Sequence, residues 1–208
     1  MNHRMFRRAS ALLLSAVLCG AAAAMTGCSG SSEDETVNST YYPFVPDSKI
    51  DESVPGETMT GGIGDTVDYQ GKVSVKLSRV VELDCYSTSS GRTLLAEFSV
   101  TNNTDKALDC SWLTHFSAAC DGQENEELTN NIVSSINARK YYTATQSDME
   151  ALYQAIDPGQ TLLGYISIAA PTTWNSLVLR YTPYKYYSND TLEFTIDESK
   201  LTHFADKL

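Results

Sequence analysis

Five cysteines and three histidines are the side chains of this 208-residue chain best suited to nucleophilic or metal chemistry. Cys110, His115 and Cys120 form the densest set, and a thiol beside an imidazole is an activated nucleophile. On a continuous strand, however, Cys110 and His115 fall on opposite faces, so the pair is not read as catalytic. Gly164-Tyr165-Ile166-Ser167-Ile168 begins like a nucleophile elbow but lacks the second glycine, and it reads as a plain strand. No His-Glu-x-x-His, paired Cys-x-x-Cys or phosphate-binding glycine loop occurs. Asp121–Glu127, "DGQENEE", offers hard oxygen ligands without the spacing of an EF-hand loop, and reads as a solvated acidic turn. These residues predict no enzyme, no metal and no cofactor. The alternative is a small-ligand or calcium site in the acidic insertion, residues 121–160.

Tyrosine is in clear excess, with 12 in the chain. Tyr184, Tyr186 and Tyr187 fall near an expected hairpin tip, and Tyr141 and Tyr142 in the long insertion. Tyrosine covers large area at low entropy cost and keeps a polar tip, so these five are the candidate interaction loop. The competing reading is packing on sheet faces, which strands favour anyway.

Charge narrows the partners. The formal net charge is −11, but Met1–Gly27 holds no acid and three of the 15 basic residues. The remainder therefore has 12 bases against 26 acids, a net −14. Such a surface repels phosphate backbones and anionic headgroups, so no nucleic-acid partner is expected.

The remaining cysteines separate by position. Met1–Arg8 is short and basic, and Ala9–Ala24 is apolar and small, shorter than the about 20 residues of a spanning helix. That layout is a secretory signal. Met25-Thr26-Gly27-Cys28 resembles the lipobox of bacterial lipoproteins, with Met25 where leucine is common. The resemblance implies cleavage between Gly27 and Cys28, removal of residues 1–27 and a diacylglyceryl group on the Cys28 thiol. Gly27 leaves room at the bond, and only a thiol forms the thioether. Two acyl chains, at about 0.8 kcal/mol per buried CH₂, hold stably where one is marginal. The expected location is the extracytoplasmic face of a bacterial membrane, lipid-anchored, with an unknown protein or envelope ligand as partner. Cys19 leaves with the signal.

Three cysteines then remain. Cys110 and Cys120 are ten residues apart, roughly 33 Å on an extended strand, too far for a bridge. Cys85 and Cys120 reach the same end of a sandwich and are the candidate disulfide, contributing about 3–4 kcal/mol by the loop-entropy model. The other reading is three buried thiols acting as small hydrophobes.

These residues need elements to hold them. Ser29–Ile63 is rich in Ser, Gly, Thr, Asp, Glu and Pro, which reads as a flexible acidic tether over residues 28–63. Its mean reach is about 30–35 Å. Tyr41, Tyr42 and Phe44 are its only aromatic cluster. Residues 64–208 show a period of two. Val73, Val75, Leu77, Val81, Leu83 and Cys85 share one phase, broken at Arg79-Val80, which suggests a bulge. Leu94–Val100, Leu108–Cys120, Leu162–Ile168, Leu177–Leu179 and Leu192–Ile196 continue the pattern, and Thr66–Tyr69 adds a short strand. Ser147 and Glu150 make a capping box ahead of Met149, Leu152, Tyr153 and Ile156, which predicts a helix ending at Asp157-Pro158-Gly159. The expected fold is all-β: an immunoglobulin-like antiparallel β-sandwich of about seven strands with one short inserted helix.

Gly64-Asp65-Thr66-Val67, "EFSVTNNT" (Glu97–Thr104), "DPGQTLLGYISIAAP" (Asp157–Pro171) and "LVLRY" (Leu177–Tyr181) together resemble the telokin-like, immunoglobulin-fold domain of unknown function common in lipoproteins of Gram-positive bacteria. The resemblance covers roughly Gly64–Asp197. It implies a sandwich in a surface lipoprotein and transfers no catalytic residue. Asp121–Ile156 is longer than usual for that family.

Overall fold

The computed structural model describes residues 55–89, 91–185 and 188–206. The strands are β1 (Thr58–Gly62), β2 (Thr66–Tyr69), β3 (Val73–Leu83), β4 (Arg92–Asn102), β5 (Leu108–Ser111), β6 (Phe116–Cys120), β7 (Gln123–Glu124), β8 (Glu150–Ala151), β9 (Tyr153–Ile156), β10 (Thr161–Ala170), β11 (Leu177–Tyr181), β12 (Thr191–Thr195) and β13 (Thr202–Phe204). The helices are α1 (Trp112–His115, one turn) and α2 (Ile132–Ala144). One sheet runs β1-β12-β11-β6-β7; the other runs β13-β3-β4-β10-β8, with β2 sharing the free edge of β3; β5 and β9 form a small third ladder. Two packed sheets make this an all-β sandwich. It is not purely antiparallel, because β1/β12, β8/β10 and β13/β3 pair in parallel. Strand β1 also moves the boundary: Thr58–Gly62, expected in the tether, is an edge strand of the domain.

Alternation builds the core. Val73, Val75 and Leu77 of β3 face Leu94, Ala96, Phe98 and Val100 of β4 and the opposing sheet through Phe116, Leu179 and Phe194. Phe98 meets Phe116 and Phe194 at ring distances of 5.3 and 5.5 Å. The bulge foreseen in β3 is present: Leu77 pairs with Phe98 and Arg79 with Glu97, leaving Ser78 extra. One extra residue exchanges the faces. Past it, Val80 points into the sandwich, while Val81 and Leu83 turn outward to a second cluster with Leu95 and Tyr165. The single face drawn from Val73 to Cys85 is therefore two faces.

Helix α2 covers that second cluster. Asn131 starts it, its side chain accepting from the amides of Val133 (2.9 Å) and Ser134 (3.1 Å). Its buried residues are Ser134, Asn137, Ala138, Tyr141 and Tyr142, at helical spacing but partly polar. The helix expected after Ser147 is instead strands β8 and β9. Leu152 is fully buried there; its amide donates to Tyr165 O, and its carbonyl accepts from Trp112 N. The spacing of Leu152 and Ile156 fits period two as well as a helix, and β10 and β5 supplied backbone partners. Gly164 permits this contact: a Cβ there would lie 2.6 Å from Leu152 Cδ2.

The expected strand Leu108–Cys120 is also broken. The single turn α1 carries the chain from β5, paired with β9, to β6, paired with β11.

Candidate binding groove

A groove of about 580 Å³ lies where the β3–β4 connection, the 3₁₀ turn Glu126–Leu128 and the start of α2 meet the end of β10. That volume is within the range of small-ligand sites. Arg92 and Thr93 stand at its β4 wall, Asn131, Ser134 and Asn137 at its helical wall, and Ala169–Pro171 at the β10 end.

Arg92 is held from behind. Its Nε donates to Glu82 Oε1 at 2.7 Å, its two terminal nitrogens pair with Glu82 and Glu198, and its guanidinium lies 4.5 Å from the Trp174 ring centroid. The guanidinium holds the Glu82 carboxyl below its ordinary range, against the opposing effect of burial. Ser87 Oγ donates to the same carboxylate at 3.0 Å. Charge at this wall is thus offset inside the protein.

Each asparagine of the groove spends one half of its amide and keeps the other. Asn131 Oδ1 caps α2, Asn125 Oδ1 accepts from Glu127 N at 2.9 Å, and Asn137 Nδ2 donates to Thr93 Oγ1 at 3.2 Å. The opposite ends (Asn131 Nδ2, Asn125 Nδ2 and Asn137 Oδ1) have no side-chain or backbone partner among the described residues. The Tyr86 hydroxyl, on the same wall, is buried without a partner.

Deeper under α2, Glu97 receives both Arg79 Nε and Nη2, at 2.7 and 2.8 Å, and the Tyr142 hydroxyl at 3.0 Å. A second groove of about 520 Å³ opens at the far end of α2, beside Arg139, Asp148 and Glu150. The solvent side of α2 carries Ile132, Val133 and Ile136, all well exposed.

The predicted site residues fall as follows. Gly27, Cys28, Tyr186 and Tyr187 lie outside the described residues. Tyr141 and Tyr142 are only 6% and 5% exposed, on the buried face of α2, so they are not an interaction loop. Tyr184 is partly buried against the core, 5.6 Å from the Tyr69 ring, whose hydroxyl bonds Asp190 at 2.8 Å. Cys85 and Cys120 do not pair: Cys85 packs on the outer cluster and Cys120 on the inner core, and all three described cysteines are free thiols. The bulge in β3 places them on different faces.

Cys110 and His115 come closer than a straight strand allows, but neither is primed. Burial pushes the Cys110 thiol up to about 12, its neighbour being the buried Tyr181 hydroxyl. Burial also lowers His115, whose Nδ1 accepts from Ser111 N (3.3 Å) and contacts Thr114 Oγ1 (2.8 Å). Acids of the insertion have separate partners: Asp121 Oδ1 accepts from Asn175 N and Ser176 N, and Glu124 pairs with Arg180. Glu82, Asp84 and His203 are the described group with metal-ligand spacing, yet Glu82 is already bonded by Arg92 and Ser87. Sequence reasoning missed Arg92, Asn131 and Asn137. The available signal was Asn131 ahead of Ile132, an N-cap that the polar buried face of α2 obscured.

The structure therefore defines the chain as a β-sandwich with a helix-covered outer face and a polar groove. No family model matches the chain, and no curated protein matches it. Among solved structures, a candidate lipoprotein from Staphylococcus aureus is similar at 17% identity, over 71% of this chain and 97% of its own, with a TM-score of 0.45. The yjhA protein from Bacillus subtilis is similar at 12% identity, over 65% and 99%, with a TM-score of 0.44. An uncharacterized beta-sandwich protein from Clostridium difficile is similar at 11% identity, over 69% and 97%, with a TM-score of 0.41. Likeness at this level transfers no function.

Proposed function

We propose that the chain is a lipid-anchored extracytoplasmic lipoprotein whose sandwich is a binding module rather than an enzyme. The groove beside α2 is its contact site. The anchor rests on Met25-Thr26-Gly27-Cys28 behind a basic and apolar start, and on the tether between Cys28 and the domain. The resemblance of Gly64–Asp197 to the telokin-like lipoprotein domain supports the same placement. The observation that carries the binding role is the groove itself, where Asn125, Asn131, Asn137 and Tyr86 hold polar groups with no protein partner among the described residues. The buried Tyr86 hydroxyl costs free energy unless something bonds it, and the asparagine ends, open to water, are available to a ligand. The raised Cys110 and lowered His115 support a non-catalytic reading.

Two measurements test the proposal. Mass spectrometry of the membrane fraction should find diacylglyceryl on Cys28, and Cys28→Ala should leave residues 1–27 attached and the lipid absent. A photo-reactive residue at Val133, on the groove rim, should give an adduct in intact cells that the same residue at exposed Lys76 does not. Identical labelling at the two positions would remove the groove from the proposal.

A further inference from the structure

We infer that the groove ligand is an uncharged saccharide, a conclusion that rests on the binding role proposed above. Charge comes first. Arg92 is spent on Glu82 and Glu198, so an anion finds no unpaired guanidinium at the β4 wall; the Lys140 ammonium lies over the Tyr86 ring, 5.4 Å from its centroid. Glu127 on the rim and the acidic chain repel anions further. The β4 wall is therefore not built for phosphate or carboxylate.

The polar groups that remain suit hydroxyls. Asn131 Nδ2 and Asn125 Nδ2 are donors and Asn137 Oδ1 is an acceptor. A sugar hydroxyl can donate and accept at once, so neighbouring hydroxyls satisfy such a mixed set. A side-chain amide held at one end presents the other in a fixed direction, which lowers the ordering cost on binding. Here caps and the Thr93 contact hold the amides. The apolar part of the wall, Val133, Ala169, Ala170 and Pro171, is small and shallow. It matches the C–H faces of a sugar ring better than the large side chains that anchor a peptide. The volume of about 580 Å³ accommodates a short oligosaccharide.

The test uses the full-length chain in detergent, with Trp174, stacked on Arg92, as fluorescence reporter. Chitotriose and maltotriose are titrated separately, with tetraalanine as the peptide control. At least one saccharide should give a saturable change that persists at high salt, and tetraalanine should give none. Asn131→Ser keeps an oxygen that can cap α2 and removes the free amide donor without adding charge, so the fold is retained. That variant should bind about 3–10-fold more weakly, the loss of one hydrogen bond. Asn125→Ser, which likewise keeps a capping oxygen, should do the same. Absence of saturable saccharide binding, binding unchanged in both variants, or binding of tetraalanine instead would overturn the inference. If the Val133 adduct still forms in cells, only the ligand class falls; if it does not, the groove falls with it.

Discussion

Replacing Arg92 by methionine tests the architecture of the groove wall. Arg92 and Glu82 are paired with side chains 10% and 6% exposed. Methionine keeps much of the stem volume and removes the charge. Glu82 is then a covered carboxylate with Ser87 and, at 3.6 Å, His203 Nδ1 as its remaining partners. Breaking a buried pair from one side costs about 3–5 kcal/mol. This pair is shallow, so the lower end, about 3 kcal/mol, is expected. For a domain of this size that corresponds to a melting temperature lower by about 6–12 °C. The double variant Glu82→Gln/Arg92→Met removes both charges and should recover at least half of the loss.

The pH dependence adds a sign. In the native protein Arg92 holds the Glu82 pKa below the unfolded value of 4.5. The pair's contribution is therefore complete above that value and fades as pH falls through the folded pKa. In Arg92→Met the same carboxylate is desolvated without its guanidinium, and its pKa rises. Acidification then relieves the strain, so the stability gap between the two proteins should narrow from pH 7 to pH 4.5. Urea unfolding followed by far-ultraviolet circular dichroism measures both effects, free of the change at Trp174. A loss below about 1 kcal/mol, an equal gap at both pH values, or a double variant as unstable as the single would refute the reasoning.

Three other outcomes follow from burial. Gly164→Ala should lose about 1–3 kcal/mol in urea unfolding, because the new Cβ meets Leu152 Cδ2 at 2.6 Å and Glu150 O at 2.9 Å; an unchanged midpoint contradicts that contact. Cys110, buried and raised to about 12, is thiolate in only roughly one molecule in ten thousand at pH 8. Iodoacetamide should label it only on unfolding, and native labelling at the unfolded rate counts against the packing. His115 is lowered, so the unfolded chain takes up its proton first as pH drops below about 6.5, and stability should fall over that range. His115→Gln should flatten that slope, and a slope kept in full assigns it elsewhere.

Much of the sandwich was legible because strands announce themselves locally. The alternation in Val73–Leu77, Leu94–Val100 and Leu177–Tyr181 reports burial directly, and Asn102–Lys106 marks its turn. The groove was not legible, for three physical reasons. The buried face of α2 carries Ser134 and Asn137 while Ile132, Val133 and Ile136 face solvent, so hydrophobic periodicity points the wrong way. Leu152 and Ile156, four apart, satisfy both periods, and only the free edges of β10 and β5 chose the strand. Tyr141 and Tyr142 have side chains that suit a surface as well as a core, and Glu97 and Tyr165 beneath them decided for the core.

By itself the sequence determined what is written in linear order: the basic and apolar start and the Met25–Cys28 stretch on which the anchoring proposal rests, the acidic surplus, the strand phases up to the bulge and the bulge near Arg79. Such signals are carried by neighbouring residues and need no partner. Tertiary structure alone decided which face each residue met beyond the bulge, and so why Cys85 and Cys120 stay apart. It also decided that Arg92 is neutralised from behind and that three asparagines keep half an amide without a partner among the described residues. Those outcomes depend on residues up to about a hundred positions apart, Glu198 and Arg92 among them. Periodicity records that a side chain should be buried and leaves open against what; long-range packing supplies the answer.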